Sequence, residues 1–394
     1  MDMNTDITHG GFQVKNSMNH KRSLAGLLLA GLLVASTGAN AANWLQLQGT
    51  EPEGAEQLGK VWGFVQVQYQ DDSSSPNGAG GFIPPKLIGP NLETQSAFNV
   101  NRARIGVRGV AMPLDQKINY FLLLEMGNNG ITEPSGSFAK ATDASVTFNH
   151  LKGARFRAGL FKYPGAEEGL QAIHVFDYIN FTWVTNQMLL ERFPNQVYTP
   201  NNPPTTLPPE SRLNAFDGPV GAFRDVGVQM FDWFKFGEDW EWSYAIMIGN
   251  GNGLNFSDND DNKDLYLYTS VEKVYGGRGP RRQGLKIFGW SQSGKRTADL
   301  TADTCANGNA FPACGPGGSG RISTIYDPQE FDRDRYGVGF KYLRNGIRTS
   351  AEFMKGEGMI FQAPHNSTFG IGPGQGIPGA PGNGALAEGV GWYV

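Results

Sequence analysis

The chain has 394 residues, 37 acidic and 33 basic side chains, and a formal net charge of −4. This weakly acidic balance argues against a nucleic-acid partner, because binding nucleic acid needs a basic surface. The 54 glycines and the 12% of aromatic residues are typical of many short strands joined by glycine-rich turns.

The N-terminus has the three parts of a secretory signal peptide. Residues 20–22 (HKR) are the positive part, residues 24–36 the apolar part, and residues 39–41 (ANA) the cleavage site. We predict that residues 1–41 are removed, that residues 42–59 form an N-terminal periplasmic segment, and that residues 60–394 form one β-domain. The apolar part is too short for a helical span of ~20 residues, and no later apolar run is longer.

Residues 98–127 predict a β-hairpin with one apolar and one charged face. Side chains alternate between the two faces of a strand, so Arg102, Arg104 and Arg108 fall together, opposite Ile105. A soluble sandwich turns its apolar face inward, whereas a transmembrane barrel turns it toward lipid and its polar face toward a lumen. This hairpin alone does not separate the two.

The loop lengths favour the barrel. About a dozen alternating strands are joined by short connections that alternate with long ones, as in outer-membrane barrels with short periplasmic turns and long outer loops. The short connections are predicted at 113–116, 151–154, 235–239, 275–282 and 344–346, and the long ones at 71–97, 128–140, 164–222, 251–262, 296–329 and 358–388. We therefore predict an all-β, transmembrane antiparallel β-barrel.

The last strand has only begun when the sequence stops at Gly391-Trp392-Tyr393-Val394. Bacterial outer-membrane barrels close with an even number of strands, and their last residue is commonly aromatic. We expect this sequence to lack the final strands of its barrel.

Several segments together resemble the phosphate-selective porin O/P family of Gram-negative outer-membrane porins. The segments that carry this resemblance are NRARIGVRG (101–109), RFRAGLFKYP (155–164), FRDVGVQMF (223–231), YAIMIGNGNG (244–253) and GWYV (391–394). The resemblance implies a 16-stranded, usually homotrimeric barrel whose long third outer loop narrows the pore. Residues 164–222 have the place of that loop. They contain only Arg192 and Arg212 as basic residues, so phosphate as the solute does not follow from the resemblance.

The inward registers of the predicted strands hold the candidate pore-lining residues. The basic ones, which would lower the barrier for anions, are Arg102, Arg104, Arg108, Arg155, Arg157, Lys286, Lys341 and Arg348. The acidic ones are Glu125, Glu241 and Glu352. An alternative interpretation is that these residues form a salt-bridge web that only rigidifies the wall.

Cys305 and Cys314 are the only cysteines, and in a secreted chain we expect them to form a disulfide within one loop. We expect no metal, no cofactor and no catalytic residues. The five histidines are scattered, and neither G-x-S-x-G nor H-E-x-x-H is present.

These features predict a passive channel in the outer membrane of a Gram-negative bacterium. The expected partners are outer-membrane lipid, lipopolysaccharide and small hydrophilic or anionic solutes. Two alternatives are a plugged surface barrel that binds partners through its loops, and an outer-membrane hydrolase. The hydrolase would need a Ser/His pair at the strand rims, where His150 is the only histidine on a predicted strand.

Overall fold

The structure is a computed structural model. It describes residues 45, 48–51, 59–71, 96–111, 113–129, 131–132, 139–176, 178–190, 192–194, 216–219, 221–254, 258, 260–277, 282–298, 301–305, 321–325, 329–357 and 389–393.

These residues form sixteen strands and two short α-helices. The strands are β1 (Lys60–Asp71), β2 (Ser96–Ala111), β3 (Asp115–Glu125), β4 (Lys140–Phe148), β5 (Arg155–Lys162), β6 (Arg192–Pro194), β7 (Phe216–Pro219), β8 (Arg224–Phe236), β9 (Trp240–Gly249), β10 (Asp264–Gly276), β11 (Gln283–Ala298), β12 (Thr301–Cys305), β13 (Arg321–Ile325), β14 (Gln329–Arg344), β15 (Ile347–Glu357) and β16 (Gly389–Tyr393). The helices are α1 (Glu167–Leu170) and α2 (Trp183–Leu189), with a 3₁₀ turn (Ile173–Val175) between them.

Twelve strands form one sheet in the order β1-β2-β3-β4-β5-β8-β9-β10-β11-β14-β15-β16. Every neighbouring pair is antiparallel. The predicted all-β antiparallel fold is therefore confirmed, as is the number of about a dozen strands. Within the described residues β1 and β16 each pair on one side only, so the sheet is not closed into a ring.

The alternation of short and long connections is also as predicted, and the sharpest turn has the chemistry its sequence indicates. Asn345 and Gly346, between β14 and β15, have φ angles of 52° and 84°. Positive φ at both central residues is what a two-residue hairpin turn requires, and Asn-Gly supplies it with little strain.

The prediction of a plain loop over residues 296–329 is wrong. β11 extends to Ala298, β14 begins at Gln329, and β12 pairs with β13 between them. The extensions carry polar residues on both faces, so they lack the alternation by which the rest of each strand is recognised.

None of the helices that the structure describes has the length and apolar character needed to cross a lipid bilayer.

Candidate pore wall

The two faces of the twelve-stranded sheet have opposite chemistry, and the apolar face is the exposed one. Ile105, Val228 and Ile248 are 44%, 53% and 57% exposed. On the other face Arg157 and Glu125 are fully buried. We call the charged face the inner face. A sheet exposing so many large apolar side chains suits an apolar surrounding better than water.

Aromatic rings gather on the outer face near the short turns. Phe234 stacks on Trp242 with 5.3 Å between ring centroids, and Trp242 stacks on Tyr244 at 5.4 Å. Phe236 stacks on Trp240 at 6.1 Å at the end of the same hairpin. Aromatic residues at one level of a sheet are typical of the girdle of an outer-membrane barrel.

Residues 163–176 and 178–190, which we call the inserted segment, pack against the inner face. Tyr163 stacks on Tyr266 of β10 at 4.8 Å, and Met188 and Leu189 of α2 are buried in the same apolar cluster. Polar bonds reinforce this packing, since Arg335 of β14 donates to the Met188 carbonyl at 2.9 Å. The segment therefore lies where the sequence predicts a loop that narrows the pore.

Two predicted wall lysines hold α1 from adjacent strands. Lys286 of β11 and Lys341 of β14 lie directly opposite each other in the sheet. Lys286 Nζ lies 2.6 Å from one carboxylate oxygen of Glu167, and Lys341 Nζ lies 3.8 Å from the other. Lys341 also donates to Gln171 Oε1 at 2.8 Å. A single carboxylate of the inserted segment thus lies between two facing cations and offsets one of their two charges.

Three of the predicted arginines form ion pairs. Arg104 lies 2.5 Å from Glu125 on the next strand. Arg108 pairs with Glu51, and Arg155 pairs with Asp232. The Arg104–Glu125 pair belongs to the wall network that the sequence suggests, whereas Glu51 and Asp232 are partners that sequence reasoning missed.

Arg102 and Arg157 are buried and donate to neutral oxygens. Arg102 donates to Gln66 Oε1 at 2.8 Å and to the Ile179 carbonyl at 3.2 Å. Arg157 donates to the Leu45 carbonyl at 2.8 Å and to Thr147 Oγ1 at 3.2 Å. No carboxylate among the described residues lies within ion-pair distance of either guanidinium.

The remaining predicted pore-lining residues are two glutamates and one arginine. Glu241 pairs with Arg282 at 3.1 Å, and Glu352 accepts from Trp290 Nε1 at 2.7 Å. Burial alone would lower the pKa of Arg282, but the carboxylates of Glu272 and Glu241 outweigh it and raise that pKa above its usual value. Arg348 is half-buried at the beginning of β15, next to a short turn.

Sequence reasoning also missed a buried network at the long-loop end of the sheet. Arg224 of β8 lies 3.0 Å from Asp143 of β4, and Arg333 of β14 lies 2.5 Å from Asp264 of β10. The partners are 81 and 69 residues apart in the chain. Alternation gives each residue its face but not its partner, because the partner is set by the sheet order.

The predicted disulfide lies outside the described residues. Cys305 ends β12, but its side chain is not described, and neither is Cys314. The pairing of these two cysteines stays a prediction.

Comparisons with known proteins find similar structures at low identity. No family model matches the chain, and no curated protein matches it. OprB from Pseudomonas putida aligns at 12% identity with a TM-score of 0.33, covering 76% of this chain and 64% of that one. The anion-selective porin from Comamonas acidovorans aligns at 9% identity with a TM-score of 0.32, covering 76% and 78%. OmpT from Vibrio cholerae, in a trimer form, aligns at 10% identity with a TM-score of 0.25, covering 86% and 100%.

The chain thus spans less than two thirds of the length of the OprB chain. Identities and TM-scores this low assign neither a family nor a function. The function is therefore inferred from the geometry of this chain alone.

Proposed function

We propose that the protein is an outer-membrane porin, a passive channel for small hydrophilic solutes. The observation that carries this proposal is the inversion of the sheet, with apolar side chains exposed on one face and buried charges on the other. Backbone groups cannot remain unpaired in lipid, so a membrane sheet of this kind has to complete its pairing into a barrel. A polar inner face then surrounds water and provides a path for solutes.

The channel is proposed to prefer anions. Arg102 and Arg157 keep charges that no described carboxylate neutralises at ion-pair distance. Arg108 and Lys341 keep 18% and 15% of their side-chain surface accessible. Cations along a water-filled path lower the barrier for anions and raise it for cations.

We also propose four further features of this porin. They are removal of residues 1–41, a constriction formed by residues 164–222, a homotrimer, and contact with outer-membrane lipid and lipopolysaccharide. Membership of the phosphate-selective O/P family also stays a prediction. Because no reacting group is implied, the proposal includes no enzyme activity and no cofactor.

The test is electrical recording of the full-length protein in planar bilayers. Wild-type protein should give stepwise current increases. The triple variant Arg102→Ser, Arg104→Ser, Arg108→Ser should conduct with an anion-to-cation permeability ratio lowered several-fold. A unit charge about 8 Å from a hydrated ion in water favours one sign of ion and disfavours the other by ~0.5 kcal/mol each, which changes the ratio about sixfold.

The matched control replaces three exposed cations near the short turns, Lys117, Lys152 and Arg344, by serine. It removes the same charge but should leave the permeability ratio nearly unchanged. Equal ratios in wild type and the inner-face variant would leave those arginines a purely structural role. Absence of current steps in the wild type would reject the channel itself.

A second candidate function is a plugged surface barrel that binds partners through its loops. It is favoured by one observation, the close packing of the inserted segment over the inner face. A plugged barrel would insert into the bilayer without current steps, so the same recordings separate the two functions.

A further inference from the structure

A second segment, residues 45 and 48–51, also contacts the inner face. It belongs to the stretch that the sequence predicts to be periplasmic. Leu45 is 1% exposed and lies in the same apolar cluster as the inserted segment. Its carbonyl accepts from Arg157 of β5 at 2.8 Å. The segment therefore begins against a buried arginine that has no described carboxylate at ion-pair distance.

The other end of this segment contacts β2 and β3. The Thr50 carbonyl accepts from Arg108 at 3.0 Å, and the Glu51 carboxylate forms an ion pair with the same guanidinium. The Glu51 backbone N–H donates to Asn119 Oδ1 at 3.0 Å. These three bonds fix the backbone of residues 50 and 51 to the wall and place a carboxylate on a predicted pore-lining arginine.

Between its ends the segment approaches the wall and the inserted segment closely. Gly49 has φ of +104°, and a Cβ added there would lie 2.8 Å from the Cβ of Phe121. Only glycine fits such a position without strain. Gln48 Nε2 donates to the Leu170 carbonyl of α1 at 3.3 Å. Two separate segments of the chain thus contact each other on the inner face.

We propose that residues 45 and 48–51 form an internal plug that limits conductance and sets the ion preference of the channel. Glu51 cancels the charge of Arg108, and the segment covers Arg157, so the plug weakens the anion preference that the bare wall would have. This inference rests on the proposed channel function. It adds to the predicted pore-lining residues a separate segment of the chain, with the carboxylate of Glu51 and contacts to Arg108 and Arg157.

The first test changes charge without changing shape. Glu51→Gln should raise the anion-to-cation permeability ratio about sixfold, because one unit charge about 8 Å from a hydrated ion in water attracts ions of one sign and repels ions of the other. Arg108→Gln should lower the ratio by a similar factor, and the double variant should return close to wild type. Glu238→Gln, in the exposed turn between β8 and β9, removes the same charge away from the wall and is the control.

The second test removes the plug. Deletion of residues 45–51 should increase single-channel conductance and raise the permeability ratio, because Arg108 and Arg157 become accessible to ions. If the deletion variant does not fold, the charge variants still decide the matter. A conducting wild type whose ratio is unchanged in Glu51→Gln overturns the plug but leaves the channel. A non-conducting wild type rejects the channel, and the plug with it.

Discussion

Ion pairs on the inner face connect parts of the chain that are far apart in sequence. Lys286 and Lys341 face each other across β11 and β14, where two like charges would destabilise the sheet. Glu167, which is 119 residues from Lys286, lies between them and accepts from Lys286 at 2.6 Å. The carboxylate is 2% exposed, so this interaction is only weakly screened by water.

Glu167→Gln should therefore destabilise the protein by about 3 kcal/mol, the cost of removing one partner of a buried ion pair. Glu357→Gln is the matched control, since its pair with Lys355 is much more exposed. Exposed pairs contribute less than about 1 kcal/mol. Urea unfolding of protein refolded in lipid vesicles, followed by tryptophan fluorescence, measures both. Equal losses in the two variants would contradict the bridging role of Glu167.

At this scale the sequence predicts the face of a side chain better than its partner. Alternation correctly places Lys286 and Lys341 on the inner face, because each strand has a period of two. Their shared carboxylate lies on a short helix in the longest connection, where no period applies. The partner of Glu51 is also hidden from prediction, because Glu51 lies outside the predicted strands and alternation does not give its partner.

Helix α2 packs onto the last strand through its apolar side chains. A Cβ added at Gly391 of β16 would lie 2.6 Å from Val184 Cγ1 and 3.3 Å from Met188 Sδ. Valine is stiff at χ1, so Val184 has little freedom to move away. At the N-terminus of the helix, Thr182 is the N-cap, and its side chain accepts from the Thr185 N–H. Glu168 in turn accepts from the Thr182 hydroxyl at 2.7 Å. The helix is therefore fixed both at its N-terminus and along its buried side.

Gly391→Ala should displace α2 and destabilise the protein by about 1–3 kcal/mol, as overpacking a filled interior does. Hydrogen exchange of the amides of residues 183–189 should become faster. The double variant Gly391→Ala, Val184→Ala should restore protection, because the smaller side chain makes room for the added methyl group. If the single variant exchanges as slowly as wild type, the helix does not depend on contact with β16.

The sequence predicts those turns, helices and strands whose residues have a strong local preference, and misses those that depend on packing. Asn345-Gly346 specifies a hairpin by its backbone preferences alone, and the structure has a turn there. α2 has seven residues and is stabilised by packing on the sheet, so its own sequence gives little helical signal. β12 and β13 have five residues each and lie within a region whose composition predicts loop.

On the scale of the whole molecule, the inversion of the two faces follows from the sequence pattern. Strand alternation and loop rhythm predict the antiparallel sheet, its approximate strand number and its outward apolar face. They do not predict that two segments, residues 45 and 48–51 and the inserted segment, contact the inner face. That arrangement depends on contacts between distant parts of the chain, such as the bond from Gln48 to Leu170 across 122 positions.

The inversion also predicts where a charge cannot be tolerated. Ile246 is 38% exposed on the outer face in the middle of β9, between Met230 and Leu267 of the neighbouring strands. Ile246→Lys should cost about 2–4 kcal/mol in lipid vesicles, since it puts an ammonium group near the middle of the bilayer. Leu114 lies in a turn and is 87% exposed, so Leu114→Lys should change stability by less than about 0.5 kcal/mol. Urea unfolding of the vesicle-bound proteins compares them. If Ile246→Lys is as harmless as Leu114→Lys, the outer face lies in water, and the membrane assignment is wrong.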